Sequence, residues 1–430
     1  MKVKIIAIAS IILAGIVVAI ITVNSYVSKD NEYNSYLSSA RANAENQVPY
    51  TALKKYEQAF KIKCDDEEIY KEYLAQAKLL GESFYDKALE NYVTYFPESS
   101  AAYEELCKFY YDSGSYKNVI TTANTAKELG IATEKVREYY LECFYMYKYI
   151  KTEFEEATTF LGNYALVKKN GLYGYLTNTG SYLISPVYES ANVFLGTSTA
   201  VNDGTEWYMI NTSGYKIARP TEAVEYLSFV SNEKILVAKN GKYGYTSSRF
   251  DIAESLPYDY ASNFKNGIAA VKKGEKWALI DTAEKQITDY IFDDIVLDEY
   301  NTCINNGVIF VKKDDKYYMV NEKGLKISEQ GFDNVYQFVS SEPAAVCIDG
   351  KWGFVNANGQ IVIEPQYSDA KSFSNGLAPV NTDGMWGYIN ANGEFRIEPQ
   401  FSDCLPFSSN GIAAVKEDGL WNYIKLLAYY

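Results

Sequence analysis

Two hydrophobic rhythms divide the chain. Across residues 24–162 large apolar side chains recur every third or fourth position. Tyr85, Ala88, Leu89, Tyr92 and Phe96 form one such stripe, the spacing of a helix face that packs on a neighbour. Pro97 ends that predicted helix and Glu98-Ser99-Ser100 opens the next. Ala52, Tyr56 and Ala59 show the same spacing, and Ala52 and Tyr56 recur 36 positions later as Ala88 and Tyr92. Tyr103, Leu106 and Tyr110, then Tyr116, Val119, Ala123 and Ala126, make a third unit, and a further helix is predicted from about Glu134 to Ile150. From residue 163 onward the period falls to two. Short apolar runs such as Gly376–Val380 and Met385–Ile389 flank Asp383-Gly384, the pattern of two strands joined by a tight turn.

The second part repeats eight times. Each unit carries an aromatic slot: Tyr173, Trp207, Tyr243, Trp277, Tyr317, Trp352, Trp386 and Trp421, at intervals of 34, 36, 34, 40, 35, 34 and 35 residues. All 5 tryptophans of the protein fall on this slot. Asn/Asp-Gly precedes it in six units, because those residues accept the positive φ of a two-residue hairpin turn. A second turn, Asn390-Ala391-Asn392-Gly393, leads into the alternating Phe395-Arg396-Ile397-Glu398-Pro399, where Pro399 is expected to close the strand. Four short strands per unit is the rhythm of a propeller blade. In Trp386-Gly387-Tyr388 the ring and the glycine point to opposite faces. The slot therefore reads as packing between sheets, with an exposed sugar-stacking platform as the sharper alternative.

These residues resemble the WG-repeat (KWG) family. Lys351-Trp352-Gly353-Phe354-Val355-Asn356, Gly359, Ile363-Glu364-Pro365-Gln366-Tyr367, Phe373 and Gly376–Val380 match its unit, as does the unit from Trp386. The units from Trp207, Trp277 and Tyr317 lack the glycine. The resemblance covers about residues 163–430. It implies a repetitive all-β module, often found on bacterial surface or multidomain proteins, without catalytic residues. Eight hairpins against seven Ile-x-Pro-type segments suit a closed propeller of seven or eight blades, its last hairpin near Trp421 zipping against the one near Tyr173. An open β-solenoid is the alternative. The helical period in the mid-thirties resembles the tetratricopeptide (TPR) repeat in degenerate form, with Tyr103 and Cys107 where that family carries Trp and Gly. The resemblance implies a groove that holds a peptide, or a stalk.

Ile5–Val23 holds 19 residues without a charge, about 28 Å of helix, enough for a bilayer core. Lys2 and Lys4 precede it. The expectation is a signal-anchor over residues 1–23, a helical domain over 24–162 and a β domain over 163–430. The bulk of the chain would lie outside the cell membrane, or be secreted if residues 1–25 are cleaved.

Charge and composition narrow the chemistry. Net charge is -14, and residues 31–162 and 163–430 are both acidic, so nucleic acid is not an expected partner. There is no histidine, which removes the usual proton shuttle and commonest metal ligand. The 6 cysteines form no C-x-x-C pair and read as buried thiols. Asp65-Asp66-Glu67-Glu68 reads as a helix N-terminus rather than a cation site. The pairs Asp293-Asp294 and Asp314-Asp315 fall in turns. No cofactor, metal site or enzyme activity is expected. The chain reads as a membrane-anchored interaction protein that binds protein, peptide or envelope partners through its repeats. A carbohydrate- or wall-binding adhesin is the alternative.

Overall fold

Residues 26–429 are described in this computed structural model, and the chain divides into two compact units at Phe144/Tyr145. Among the described residues the first unit is a succession of helices: α1 (26–45), α2 (Pro49–Phe60), α3 (Glu67–Leu79), α4 (Glu82–Tyr95), α5 (Ser100–Asp112), α6 (Tyr116–Glu128) and α7 (Glu134–Phe144). The predicted stripes are buried: Ala52, Leu53, Tyr56 and Ala59 on α2, and Tyr85, Ala88, Leu89 and Tyr92 on α4. Alanines let the helices approach while tyrosine rings fill the space between them. The hydroxyls of Tyr56, Tyr85 and Tyr92 each donate at 2.7 Å to Glu72, Glu105 and Glu67, so the buried phenols keep a partner for their polar tips. Asp66 caps α3 by accepting from the Glu68 and Ile69 amides, with Glu67 and Glu68 in the first turn. The succession fits the TPR-like reading.

The second unit is an eight-bladed β-propeller. Blade 1 holds β2 (Glu156–Ala157), β3 (Tyr164–Lys169), β4 (Leu172–Thr177) and β5 (Tyr182–Tyr188). Blade 2 holds β6 (Ser190–Ala191), β7 (Ser198–Asn202), β8 (Trp207–Asn211) and β9 (Lys216–Ala218). Blades 3, 4 and 5 are three-stranded: β10–β12 (226–246), β13–β15 (260–281) and β16–β18 (294–320). Blades 6 and 7 are four-stranded again, β19–β22 (334–367) and β23–β26 (369–401). Blade 8 is composite. Its sheet runs β1 (Tyr147–Phe154), β29 (Leu420–Leu426), β28 (Ile412–Glu417), β27 (Asp403–Cys404).

β1 is the strand that closes the ring. Tyr147 pairs with Leu426, Tyr149 with Ile424 and Phe154 with Trp421. Sequence reasoning expected the last hairpin to zip against the one near Tyr173 and placed the module's start at 163. It also carried the last helix to Ile150, whereas α7 stops at Phe144. The period-two signal of Tyr147 and Tyr149 follows directly on a helical stripe and was merged into it. The open solenoid gives way to a ring.

Eight apolar cores alternate with the eight blades. The one across the chain ends joins Phe154, Phe160, Ala165 and Val167 to Ile412, Ala414 and Tyr423. A tyrosine hydroxyl locks several of these junctions in the same way. Tyr175 donates to Asn192 O, Tyr245 to Ser262 O and Tyr388 to Leu405 O, each 17 residues ahead in the next blade. Tyr423 makes the equivalent bond to Thr158 O, from the last blade to the first.

The expected single-pass anchor needs correction. Among the described residues no helix is long and apolar enough to cross a membrane. The Ile5–Val23 run on which it rested, and the extracytoplasmic placement drawn from it, lie outside the described residues.

Candidate functional site

The repeat slot faces into the blades. Trp207, Trp277, Trp352 and Trp386 are 6–8% exposed, while Tyr173, Tyr243, Tyr317 and Trp421 are half-buried. The rings cover lysine stems: Lys168, Lys272, Lys312 and Lys416 stand opposite Tyr173, Trp277, Tyr317 and Trp421 across the hairpin, and their ammonium groups lie 5.0–5.9 Å from the ring centres. The glycine beside the slot has a different cause from the expected sheet-on-sheet contact. A Cβ on Gly353 would stand 2.5 Å from Ile363 O, and one on Gly387 2.5 Å from Ile397 O. The neighbour is the next strand of the same blade. It bulges there: Trp352 pairs with Tyr367 but Phe354 with Ile363, so Glu364-Pro365-Gln366 arches over the glycine. Pro365 and Pro399 thus lie inside β22 (Ile361–Tyr367) and β26 (Phe395–Phe401). They sit on the outermost strand, which needs no further donor, and Pro399 does not end its strand.

The repeat breaks once, at the 40-residue interval. From the inner strand to the glycine before the next one, blade 4 spends residues 261–267 and blade 5 residues 295–307, six more. The extra residues form a bridge. Asn301 O accepts from Asn263 N at 2.7 Å, and Tyr300 O from Asn263 Nδ2 at 2.9 Å, in blade 4. Gln337 of blade 6 donates to Val296 O and Cys303 O at 3.0 and 2.8 Å, leaving its own buried Oε1 without a partner. Glu299 Oε2 accepts from Thr159 N of blade 1 at 3.2 Å, and Tyr300 packs against the core between blades 1 and 2. In a ring of eight, blades 1 and 5 stand opposite, so this bond crosses the axis.

Beside the bridge a cavity of about 690 Å³ remains. Its wall comes from the inner segments of blades 4 to 8 and blade 1, and mixes apolar groups (Phe160, Leu297, Phe338, Leu405) with the hydroxyls of Ser340, Ser372 and Ser408. Four charged side chains line it. Asp298 is saturated: it accepts from Tyr300 N and Thr302 N at 3.0 and 2.8 Å, Thr302 Oγ1 at 2.6 Å and Asn305 Nδ2 at 3.1 Å, with Lys265 Nζ at 3.6 Å. Lys371 is held by Asp403 Oδ1 and Cys404 O at 2.6 and 2.8 Å. Glu299 differs. Its side chain is exposed to the cavity, and among the described residues no Lys or Arg pairs with it. The propeller surrounds it at a distance although its side chain opens on the cavity. The ring's enclosure, with the Asp298 carboxylate adding to it, raises its carboxyl above the ordinary value, against the lowering effect of the Tyr300 and Thr159 donors. Cys303, fully buried behind the bridge, has its thiol pushed up to about 12 by burial, which leaves it unreactive.

Sequence reasoning missed Glu299. The one signal available was the long interval, since Asp298-Glu299-Tyr300 taken alone reads as a polar loop. Asp293 and Asp314 belong instead to blade edges, where Asp293 accepts from Asp314 N at 3.1 Å.

The family model described as "WG containing repeat" matches residues 150–173, 257–277, 352–386 and 386–421. No curated protein matches the chain. Among solved structures, the chain is similar to a eukaryotic initiation factor at 11% identity and TM-score 0.43, covering 64% of this chain and 86% of that one. It is similar to dihydro-heme d1 dehydrogenase NirN at 11% and 0.40, covering 60% and 69%. It is also similar to Hsv2 of Kluyveromyces lactis at 11% and 0.37, covering 63% and 96%. A propeller of such repeats is the architecture of a protein-interaction or binding module.

Proposed function

The C-terminal part of the chain carries WG-containing repeats, and from that premise we propose a non-catalytic binding protein whose propeller takes its ligand in the axial cavity. The observation that carries this reading is the bridge. Equivalent blades leave an axial hole, and here six inserted residues span it and wall off a cavity of about 690 Å³, within the usual range of ligand pockets. The ligand is a small amphipathic molecule or the side chains of an inserted peptide loop, because the wall alternates apolar surface with hydroxyls. Burial of the tryptophan slot argues against sugar platforms at that position. The non-catalytic reading is supported by the saturation of Asp298: among the described residues the cavity offers one carboxylate without a counter-charge, not the pair that hydrolysis by carboxylates requires.

The test is a thermal-shift screen of the full chain against an amphiphile and peptide library. Val339, 45% exposed and on the cavity wall, is replaced by Trp to fill the space. Tyr215, 72% exposed on the outer turn of blade 2, is replaced by Ala as a control. Hits that stabilise the parent and Tyr215→Ala but not Val339→Trp support the cavity. Hits indifferent to Val339→Trp place binding elsewhere and overturn it.

A further inference from the structure

Resting on the reading of the axial cavity as a ligand site, we infer that it selects an organic cation, an ammonium carried on an apolar stem, with Glu299 as its counter-charge. The argument is one of unmet charge. Lys265 and Lys371 are committed to Asp298 and Asp403, so the cavity's cations are already neutralised. Asp298 has a donor for every lone pair in reach. Glu299 has only neutral donors, the Thr159 amide and the side chains of Thr159 and Tyr300, and no cation among the described residues. It is held at the centre of the ring by an insertion that exists in one blade of eight. A carboxylate brought into an enclosed space without a counter-charge is costly to keep, and a ligand ammonium supplies what it lacks: a positive charge. The neighbouring wall of Phe160, Leu297 and Leu405 suits an aliphatic stem and gives no second charge to hold a zwitterion. An anionic ligand would meet Glu299 with both lysines already spent.

A free amine and a lysine side chain on a peptide share this chemistry. The experiment uses calorimetric titration of the full chain with hexylamine, 1-hexanol and hexanoate, three probes of one stem length. It is followed by a lysine-bearing peptide and the same peptide with norleucine in place of lysine. Hexylamine is expected to bind about tenfold or more tighter than 1-hexanol, the usual scale for a charge-assisted hydrogen bond, and hexanoate not at all. Glu299→Gln keeps an acceptor for Thr159 N and is expected to bring hexylamine down to the level of hexanol. Preference for the lysine peptide over the norleucine one, with weak hexylamine binding, would support the inference with a peptide as the source. Equal binding of amine and alcohol, unchanged by Glu299→Gln, would overturn the cation inference and leave the cavity reading standing. Failure of all five probes to bind would overturn both. The probe series on the parent chain decides the matter even if the variant folds poorly.

Discussion

Tyr423 offers the sharpest test of how the ring closes. It is fully buried, and its hydroxyl donates to Thr158 O at 2.6 Å, linking residues separated by nearly the whole propeller. Tyr388 is equally buried and makes the same bond to Leu405 O at 2.8 Å, between blades that follow each other in sequence. Replacing either by Phe keeps the ring and its packing and removes one donor. The net worth of a neutral hydrogen bond is about 1 kcal/mol, and a buried carbonyl left unpaired costs about 1–3 kcal/mol. Each variant is therefore expected to lose about 1–3 kcal/mol, a fall in Tm of about 2–5 °C for a domain of this size. Guanidinium unfolding followed by tryptophan fluorescence reads it, with the midpoint moving at constant slope. If the splice of chain ends is a junction like the others, the two losses match. A Tyr388→Phe loss in this range beside an unchanged Tyr423→Phe would refute the reasoning, since the closing junction would then be loose.

Three further outcomes follow from the same geometry. Trp386→Ala removes a ring 6% exposed from the core between blades 7 and 8 and is expected to cost about 3–5 kcal/mol; a melting curve like the parent's would mean that the slot is not packing. Gly353→Ala places a Cβ 2.5 Å from Ile363 O and is expected to cost about 1–3 kcal/mol, while Gly350→Ala, strained only by its φ of 74°, is expected to cost less; the reverse order in denaturant midpoints would show that the bulge yields freely. Glu299 has its carboxyl raised in the folded chain by enclosure and by Asp298, so its ionisation weakens the native state as pH climbs above about 4, the unfolded value. Glu299→Gln is therefore expected to melt higher than the parent at pH 7, with the gain gone below about pH 4, and a pH-independent difference would contradict it.

Legibility followed regularity. The slot, the Asp-Gly turn and the Ile-x-Pro segment recur often enough that the blade could be read from one unit, and the helical stripes were read from spacing alone. What failed were the features that occur once. β1 is a lone strand joined to a helix, and its partner β29 lies more than 260 residues away, so no local pattern announces it. Glycine next to the slot was legible as a close approach, but its partner was not. Which strand arches over Gly353 depends on the bulge between Tyr367 and Ile363, a register effect invisible in a period-two pattern. The 40-residue interval announced an insertion, yet its meaning depends on blades 1 and 5 facing each other. That holds only once the number of blades is known.

The placement of irregularity has its own logic. Identical blades make identical inner segments, and an axial hole ringed by them has no reason to prefer one orientation of a ligand. Discrimination needs a group presented from one direction. Blades 6 and 7 keep the full repeat and four strands, whereas blades 3 to 5 have reduced the outer strand to single bridges such as Tyr243–Tyr258, Trp277–Phe292 and Tyr317–Phe332. The insertion sits in that relaxed group. It costs nothing in the hairpins that hold the ring, because it leaves from β16 (Asp294–Ile295) and returns before β17 (Ile309–Lys313), and its backbone is satisfied by blades 4 and 6. Its one long reach, Glu299 to Thr159, spans the axis to the blade next to the closing strand. The ring thus supplies a rigid wall by repetition, and a single departure from repetition supplies the asymmetric charge. A propeller of this kind can change what it binds by altering the cavity-facing position Glu299, while Cys303 and Ile304 stay in the core between blades 4 and 5 and Tyr300 in that between blades 1 and 2.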